Sequence, residues 1–205
     1  TNSYAQEPEN LSLAKQRVMA YYNSGDYLKQ VAQVAQQAEN YLERRVTENQ
    51  KQTQPKKLAL VLDIDETALS NYASMLQLNF GGSLASINAA IAKADTPALK
   101  PVLQLYQKAE KEGVAVYFVT GRREALRAAT IKNLKAAGYT QWQGLDLRPE
   151  CDHQTSVVPF KASMRKAITG QGEDIILDVG DQKSDLLGGY ADKTLKLPNP
   201  FYYLP

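Results

Sequence analysis

The sequence predicts an α/β protein in which helices cover both faces of a parallel β-sheet, giving three layers. Short apolar runs such as "LALVL" (58–62), "VAVYFV" (114–119) and "DIILDV" (174–179) are typical of strands that are buried on both faces. Segments with the apolar spacing of helices separate these runs. Strands that alternate with helices favour a parallel sheet with right-handed crossovers.

Residues 1–55 are predicted to form a helical extension that packs on a main domain spanning 56–205. A shorter helix is expected over 12–22, and a longer one over 27–46, where the apolar residues recur at helical spacing: Leu28, Val31, Ala35, Ala38, Leu42 and Val46. The polar segment "VTENQKQTQPKK" (46–57) ends near Pro55 and is predicted to be a surface connection.

The main domain is predicted to begin with the strand "LALVL". Two predicted helices of this domain end at glycines. They are "PALKPVLQLYQKAEKEG", which ends at Gly113, and "RREALRAATIKNLKAAG", which ends at Gly138. "VAVYFVTG" is the second strand and "GLDL" a weaker third. A short helix, "KASMRKAIT", precedes the strong strand "DIILDVGD", and "TLKL" is the expected last strand.

About thirty residues between Glu66 and Pro97 do not fit this alternation. They follow the end of the first strand directly and include "NFGGSLASINAAIAKAD". Spacing alone leaves two interpretations open: a long crossover with an extra helix, or a lid over a site.

Composition excludes several classes of protein. A net charge of +2 gives no reason to expect a nucleic acid polymer as partner. No run approaches the roughly 18 apolar residues of a membrane span, and no signal-peptide core is visible. The chain begins with Thr1, which leaves removal of a targeting segment open, and its single cysteine cannot form an intrachain disulfide. A homodimer stays open.

Polar residues stand where the predicted strands end, which is the edge at which open α/β sheets bind ligands. Four separate segments bring acids, a hydroxyl group and a lysine to this edge: Asp63, Asp65, Thr120, Gly121, Lys161, Asp181 and Asp185. Clustered acids repel one another, and a divalent cation relieves that repulsion. Oxygen ligands without nearby cysteine or histidine favour Mg²⁺ over zinc.

The pair Asp63 and Asp65 is predicted to carry the chemistry. If the strand stays extended, its period of two points both carboxylates to the same side. One can then attack a phosphoryl group while the other handles a proton. Lys161 and the hydroxyl of Thr120 offer an anion pocket beside them. The sequence therefore predicts a site of phosphoryl transfer.

At these residues the chain resembles the haloacid dehalogenase superfamily. "DIDET", "VTGR", the lysine in "PFKASMRKA" and "GDQKSDL" are similar to its four motifs, in order. The resemblance narrows to subfamily IIIB, which joins class B and C bacterial acid phosphatases and plant vegetative-storage-type phosphatases, and it includes the tail "LPNPFYY". It implies a Rossmann-like core, and it implies that the insertion, about 68–97, is a small cap.

The resemblance also implies a role for each motif residue. Asp63 would be the phosphorylated nucleophile, and Asp65 the general acid and then base. The metal ion, Mg²⁺, would be held by Asp63, the backbone carbonyl of Asp65, and Asp181. Thr120, Gly121 and Lys161 would bind the phosphoryl group, and Asp185 would orient Lys161 or a metal-bound water. Residues that could contact the leaving group are Asn71, Tyr72, Phe80 and Arg122.

The expected function is that of a Mg²⁺-dependent acid phosphatase of broad specificity, with nucleoside monophosphates among its substrates. Two alternatives stay open: a storage or binding protein that kept the fold and lost most activity, and a phosphotransferase that passes the phosphoryl group to an alcohol. The resemblance further implies a periplasmic or secreted protein.

Overall fold

The computed structural model describes residues 2–205 and confirms the three-layer α/β architecture. Five parallel strands form one sheet in the order β3-β2-β1-β4-β5. The strands are β1 (Lys57–Leu62), β2 (Ala115–Arg123), β3 (Gly144–Arg148), β4 (Glu173–Gly180) and β5 (Lys193–Lys196). The helices are α1 (Leu11–Asn23), α2 (Asp26–Gln50), α3 (Tyr72–Gln77), α4 (Leu84–Ala92), α5 (Lys100–Lys111), α6 (Arg127–Ala137), α7 (Val158–Gly170) and α8 (Lys183–Leu186).

Side chains of β1 alternate between two hydrophobic cores, one on each face of the sheet. Leu60 and Leu62 pack into the larger core, which contains the apolar residues of α2 and α5. Ala59 and Val61 pack into the smaller core, to which α7 contributes Phe160. Every residue of this strand after Lys57 is buried, as the continuous apolar run predicted.

Helix α2 packs against the sheet with one face. Its buried side chains are Tyr27, Val31, Ala35, Ala38, Leu42 and Val46. The predicted surface connection is shorter than expected, because α2 continues to Gln50 and only 51–56 leave the helix. No helix-breaking residue occurs before Pro55. The side chain of Asn49 closes the turn, since it donates to Lys56 O and accepts from Lys56 N, both at 2.9 Å.

The inserted segment, residues 68–97, contains α3 and α4 and is closed at its base by backbone hydrogen bonds. Ser70 N donates to Pro97 O at 2.9 Å, and Leu99 N donates to Ala68 O at 3.0 Å. The side chain of Asn133 on α6 also binds both backbone polar groups of Thr96. The segment therefore leaves and rejoins the domain at one point beside the end of β1.

The strand order indicates where a ligand would bind. The chain proceeds from β1 outward through β2 to β3, and then returns to place β4 on the other side of β1. The order of strands thus reverses between β1 and β4, which is where open α/β sheets bind ligands. None of the helices within 2–205 combines the length and apolar composition that a bilayer span requires.

Candidate active site

Asp63 follows β1 directly and is held against β4, because its N–H donates to Val179 O at 3.1 Å. The strand ends at Leu62, and the chain then turns, with Thr67 N donating to Ile64 O. The premise that an extended strand points Asp63 and Asp65 the same way therefore fails. The two carboxylates have different partners.

Lys161 joins Asp63 to Asp185. Its Nζ atom donates to Asp63 Oδ1 at 2.7 Å and to Asp185 Oδ1 at 2.6 Å, and all three side chains are buried. Burial and the charge of Asp185 raise the pKa of Asp63 well above its usual value, against the opposing effect of Lys161. Burial alone would lower the pKa of Lys161, but the charges of Asp185 and Asp63 raise it, so the amine stays protonated.

Asp65 forms a bidentate ion pair with Arg122. The Nη2 and Nε atoms of Arg122 lie 2.7 Å and 2.9 Å from its two carboxylate oxygens, and Arg122 Nη1 donates to Thr130 Oγ1. Asn71 Nδ2 donates to Asp65 Oδ1 at 2.7 Å. Burial acts to raise the pKa of Asp65, but the charge and hydrogen bonds of Arg122, aided by Asn71, lower it overall.

Asp181 follows β4 and is fixed by three donors. Asn199 Nδ2 donates to Oδ2 at 2.7 Å, Gln182 Nε2 to the same atom at 3.1 Å, and Thr67 Oγ1 to Oδ1 at 3.1 Å. Burial, and next the charge of Asp185, raise its pKa to about 7.

Three carboxylates, those of Asp63, Asp181 and Asp185, have oxygens that all lie within 4.8 Å of one another. Lys161 supplies one positive charge to this group, so two negative charges stay uncompensated when all three acids are ionised. A cluster of oxygen donors with that charge fits a hard divalent cation. Gly180 permits the close approach, because a Cβ there would lie 2.5 Å from the Asp185 carboxylate.

Most of the other predicted site residues lie around this centre. Thr120 is fully buried in β2, where the pairing of this strand with β3 shifts register, and its hydroxyl accepts from Arg122 N at 3.1 Å. Gly121, Asn71 and Phe80 line the cavity that contains the acids. Tyr72 is instead stacked on Tyr22, with ring centroids 3.5 Å apart, and is not among the lining residues.

Sequence reasoning missed a buried network that supports Asp65. Glu66 is 1% exposed and accepts from Asn71 N at 2.7 Å and from the hydroxyl of Tyr202. Burial, and next the charge of Asp65, raise the pKa of Glu66 to about 7. Asn199 and Tyr202 belong to the tail "LPNPFYY". This tail is recognisable in the sequence, but only the fold shows that its side chains return to the candidate active site.

Arg165 is a second missed residue, one helical turn after Lys161 on α7. It is 1% exposed, and its guanidinium donates to the backbone carbonyls of Asp185, Leu187 and Gly189. These contacts fix the segment that carries Asp185. Nothing in the spacing of "KASMRKA" distinguishes Arg165 from a solvated base.

Comparisons with known proteins find acid phosphatases and proteins related to them. A family model described as HAD superfamily, subfamily IIIB (Acid phosphatase) matches residues 5–205. A stem 31 kDa glycoprotein of Glycine max is 33% identical over 192 residues, covering 90% of this chain and 72% of that protein. Acid phosphatase 1 of Solanum lycopersicum is 36% identical over 148 residues, or 70% of this chain.

Among solved structures, the class C acid phosphatase from Bacillus anthracis with tungstate bound is similar to the chain. The TM-score is 0.71 at 25% identity, over 94% of this chain and 87% of that one. Vegetative storage protein 1 of Arabidopsis thaliana is 32% identical to the chain over 149 residues, or 71% of this chain. The chain spans 58% of the length of the tomato protein and 55% of the length of this storage protein.

Proposed function

Since the chain belongs to subfamily IIIB of the HAD superfamily, we propose that it is a phosphomonoesterase that hydrolyses phosphate monoesters with Mg²⁺ and forms an aspartyl-phosphate. The observation that carries this proposal is the position of Lys161 between Asp63 and Asp185, next to Asp181. This arrangement joins a carboxylate nucleophile, a fixed positive charge and a set of oxygen donors in one buried place.

In the first half of the reaction, a carboxylate oxygen of Asp63 forms a bond to phosphorus while the bond from phosphorus to the leaving oxygen breaks. Lys161 holds the phosphoryl oxygens, with Thr120 and the backbone at Gly121. Asp65 gives its proton to the leaving alcohol. Because Arg122 lowers the pKa of Asp65, the proton-donating form is populated towards acidic pH.

In the second half, a water molecule attacks phosphorus and the bond to Asp63 breaks. Asp65, now ionised, accepts the proton of that water, so both aspartates return to their starting state with release of phosphate. Arg122 and Asn71 hold the Asp65 carboxylate in one orientation through both steps.

Asp63, Asp181 and the backbone carbonyl of Asp65 would hold the metal ion, with Asp185 beside them. When bound, Mg²⁺ neutralises charge on the transferring phosphoryl group. The relative from Bacillus anthracis was solved with tungstate bound. Tungstate is a tetrahedral oxyanion like phosphate, which supports an oxyanion as the ligand of this chain. We further propose that the inserted segment acts as a cap and that the protein works outside the cytoplasm.

The test is phosphate release from p-nitrophenyl phosphate, measured with Mg²⁺ and with a chelator. We expect metal-dependent release from the protein and none from Asp63→Asn, because an amide cannot form the acyl-phosphate. Asp95→Asn, at an exposed position, is the matched control and should keep full activity. Release by Asp63→Asn, or release that survives thorough chelation, would contradict the proposal.

A storage role is the second candidate, because two relatives are named vegetative storage proteins. A storage protein that kept the fold and lost most activity would release little or no phosphate in the same assay. The intact set of Asp63, Lys161 and Asp181 supports the enzyme instead.

A further inference from the structure

The cavity beside Asp63 is lined by charged side chains near the strand ends and by uncharged side chains of the inserted segment. It has a volume of about 560 Å³, within the range of pockets that hold small organic ligands. Acids and bases of the strand ends line one end. The inserted segment contributes a large share of the remaining wall, so the part of a bound phosphate monoester beyond its phosphoryl group can lie against that segment.

This wall is poor in charge and rich in hydrocarbon. Residues 68–92 contain no Asp, Glu, Lys, Arg or His, although 22% of the whole chain is charged. The large apolar side chains of the wall are Met75, Leu78, Phe80, Leu84, Ile87 and Ile91.

Two of these side chains are exposed at the mouth of the cavity. Leu84 is 72% exposed and Ile87 is 42% exposed, and both lie on α4. Contiguous apolar side chains exposed at a cleft mark places that bind apolar ligands. They extend the hydrocarbon wall from the buried Ile91 outward.

Few polar groups on the wall are free to bind hydroxyl groups. Asn71 Nδ2 donates to Asp65 and Glu66, and Ser74 Oγ donates to Asn71 O at 3.0 Å. Asn88 is the other polar side chain of this segment in the lining. The hydroxyl groups of a sugar or nucleoside would therefore find few partners among the side chains of this segment, whereas a hydrocarbon chain needs none.

Resting on the proposed phosphatase activity, we propose that the preferred substrates are phosphate monoesters of apolar alcohols, whose hydrocarbon part lies along this wall. Transfer of one methylene group from water to an apolar surface is worth about 0.8 kcal/mol. That value corresponds to an increase in kcat/KM of up to about fourfold per methylene, until the chain outgrows the wall.

The experiment compares kcat/KM for ethyl, butyl, hexyl and octyl phosphate below their micelle concentrations, with glycerol phosphate and a nucleoside monophosphate as polar substrates. We expect kcat/KM to rise with chain length and the polar substrates to rank below hexyl phosphate. The double variant Leu84→Gln with Ile87→Gln should reduce the ratio of octyl to ethyl phosphate by at least about tenfold, as loss of two or three buried methylene groups implies.

Leu76→Gln is the matched control, because Leu76 is 45% exposed on the same segment but is not in the cavity lining. It should keep the dependence on chain length. An active enzyme with a flat series, or a double variant with an unchanged slope, would overturn the apolar preference and leave the phosphatase proposal standing. No hydrolysis of any ester, p-nitrophenyl phosphate included, would overturn both.

Discussion

The Nζ atom of Lys161 lies 2.7 Å from Oδ1 of Asp63, although 98 residues separate the two in the chain. The same nitrogen lies 2.6 Å from Asp185, so one buried amine faces two buried carboxylates. Lys161 thus compensates one negative charge of the site before any substrate arrives, and it presents a fixed positive charge where a phosphoryl group would bind.

Replacement of Lys161 should lower stability as well as activity. In Lys161→Met the carboxylates of Asp63 and Asp185 lose their buried partner, which typically costs about 3–5 kcal/mol. Unfolding in denaturant at neutral pH measures this loss. Lys166→Met, at an exposed position of the same helix, should change the free energy of unfolding little. Equal stability of the two variants would show that the buried charges need no partner.

Arg122 should not be replaceable by lysine. Its planar guanidinium binds both oxygens of Asp65 and also Thr130, a geometry that an ammonium group cannot reproduce. A charged hydrogen bond is worth about 1.5–3 kcal/mol, so kcat of Arg122→Lys should fall roughly 10- to 100-fold. Steady-state kinetics measure it, with Arg127→Lys, at a half-exposed ion pair, as control. Wild-type kcat in Arg122→Lys would remove Arg122 from the positioning of Asp65.

Asn199 should contribute to metal affinity without touching the metal ion. It donates to Asp181 Oδ2 at 2.7 Å and so fixes the orientation of a proposed ligand. Loss of such a supporting contact typically weakens metal binding by about 10- to 100-fold. Calorimetric titration of Mg²⁺ into Asn199→Ala, with the exposed Asn23→Ala as control, measures the change. Identical affinities would mean that Asp181 is oriented by Thr67 and Gln182 alone.

The metal-free protein should become less stable as pH rises from about 5 to about 8. Burial raises the pKa of Asp181 and of Glu66 to about 7, so the folded state holds protons that the unfolded chain has already released. Stability therefore falls through this window. Denaturant unfolding in chelator should show the fall, and saturating Mg²⁺ should oppose it at pH 8. A flat profile in chelator would contradict these raised pKa values.

The fold was predictable because its strands are buried on both faces and its helices have one apolar face. The run 58–62 and the spacing of Val31, Ala38 and Leu42 each reflect a local period, which the sequence displays directly. The end of α2 was less predictable, because residues 47–50 are polar and only the absence of a breaker before Pro55 extends the helix.

The candidate site was predictable where its residues follow strands. Asp63 and Asp181 come together because β1 and β4 are neighbours, and the rule for carboxyl ends of parallel strands anticipates this. Glu66 and Tyr202 were not predictable, because their contact joins residues 136 positions apart. Glu66 also adopts a positive φ of 54°, a backbone conformation that no local sequence pattern predicts.

The most direct test of the account is to trap the phosphoryl group on Asp63. The protein would be mixed with p-nitrophenyl phosphate and Mg²⁺, quenched in acid within the first turnovers, and its peptides analysed by mass spectrometry. The account predicts a phosphoryl adduct on Asp63, absent in Asp63→Asn and absent without substrate. Turnover with a phosphoryl adduct on another residue would contradict it.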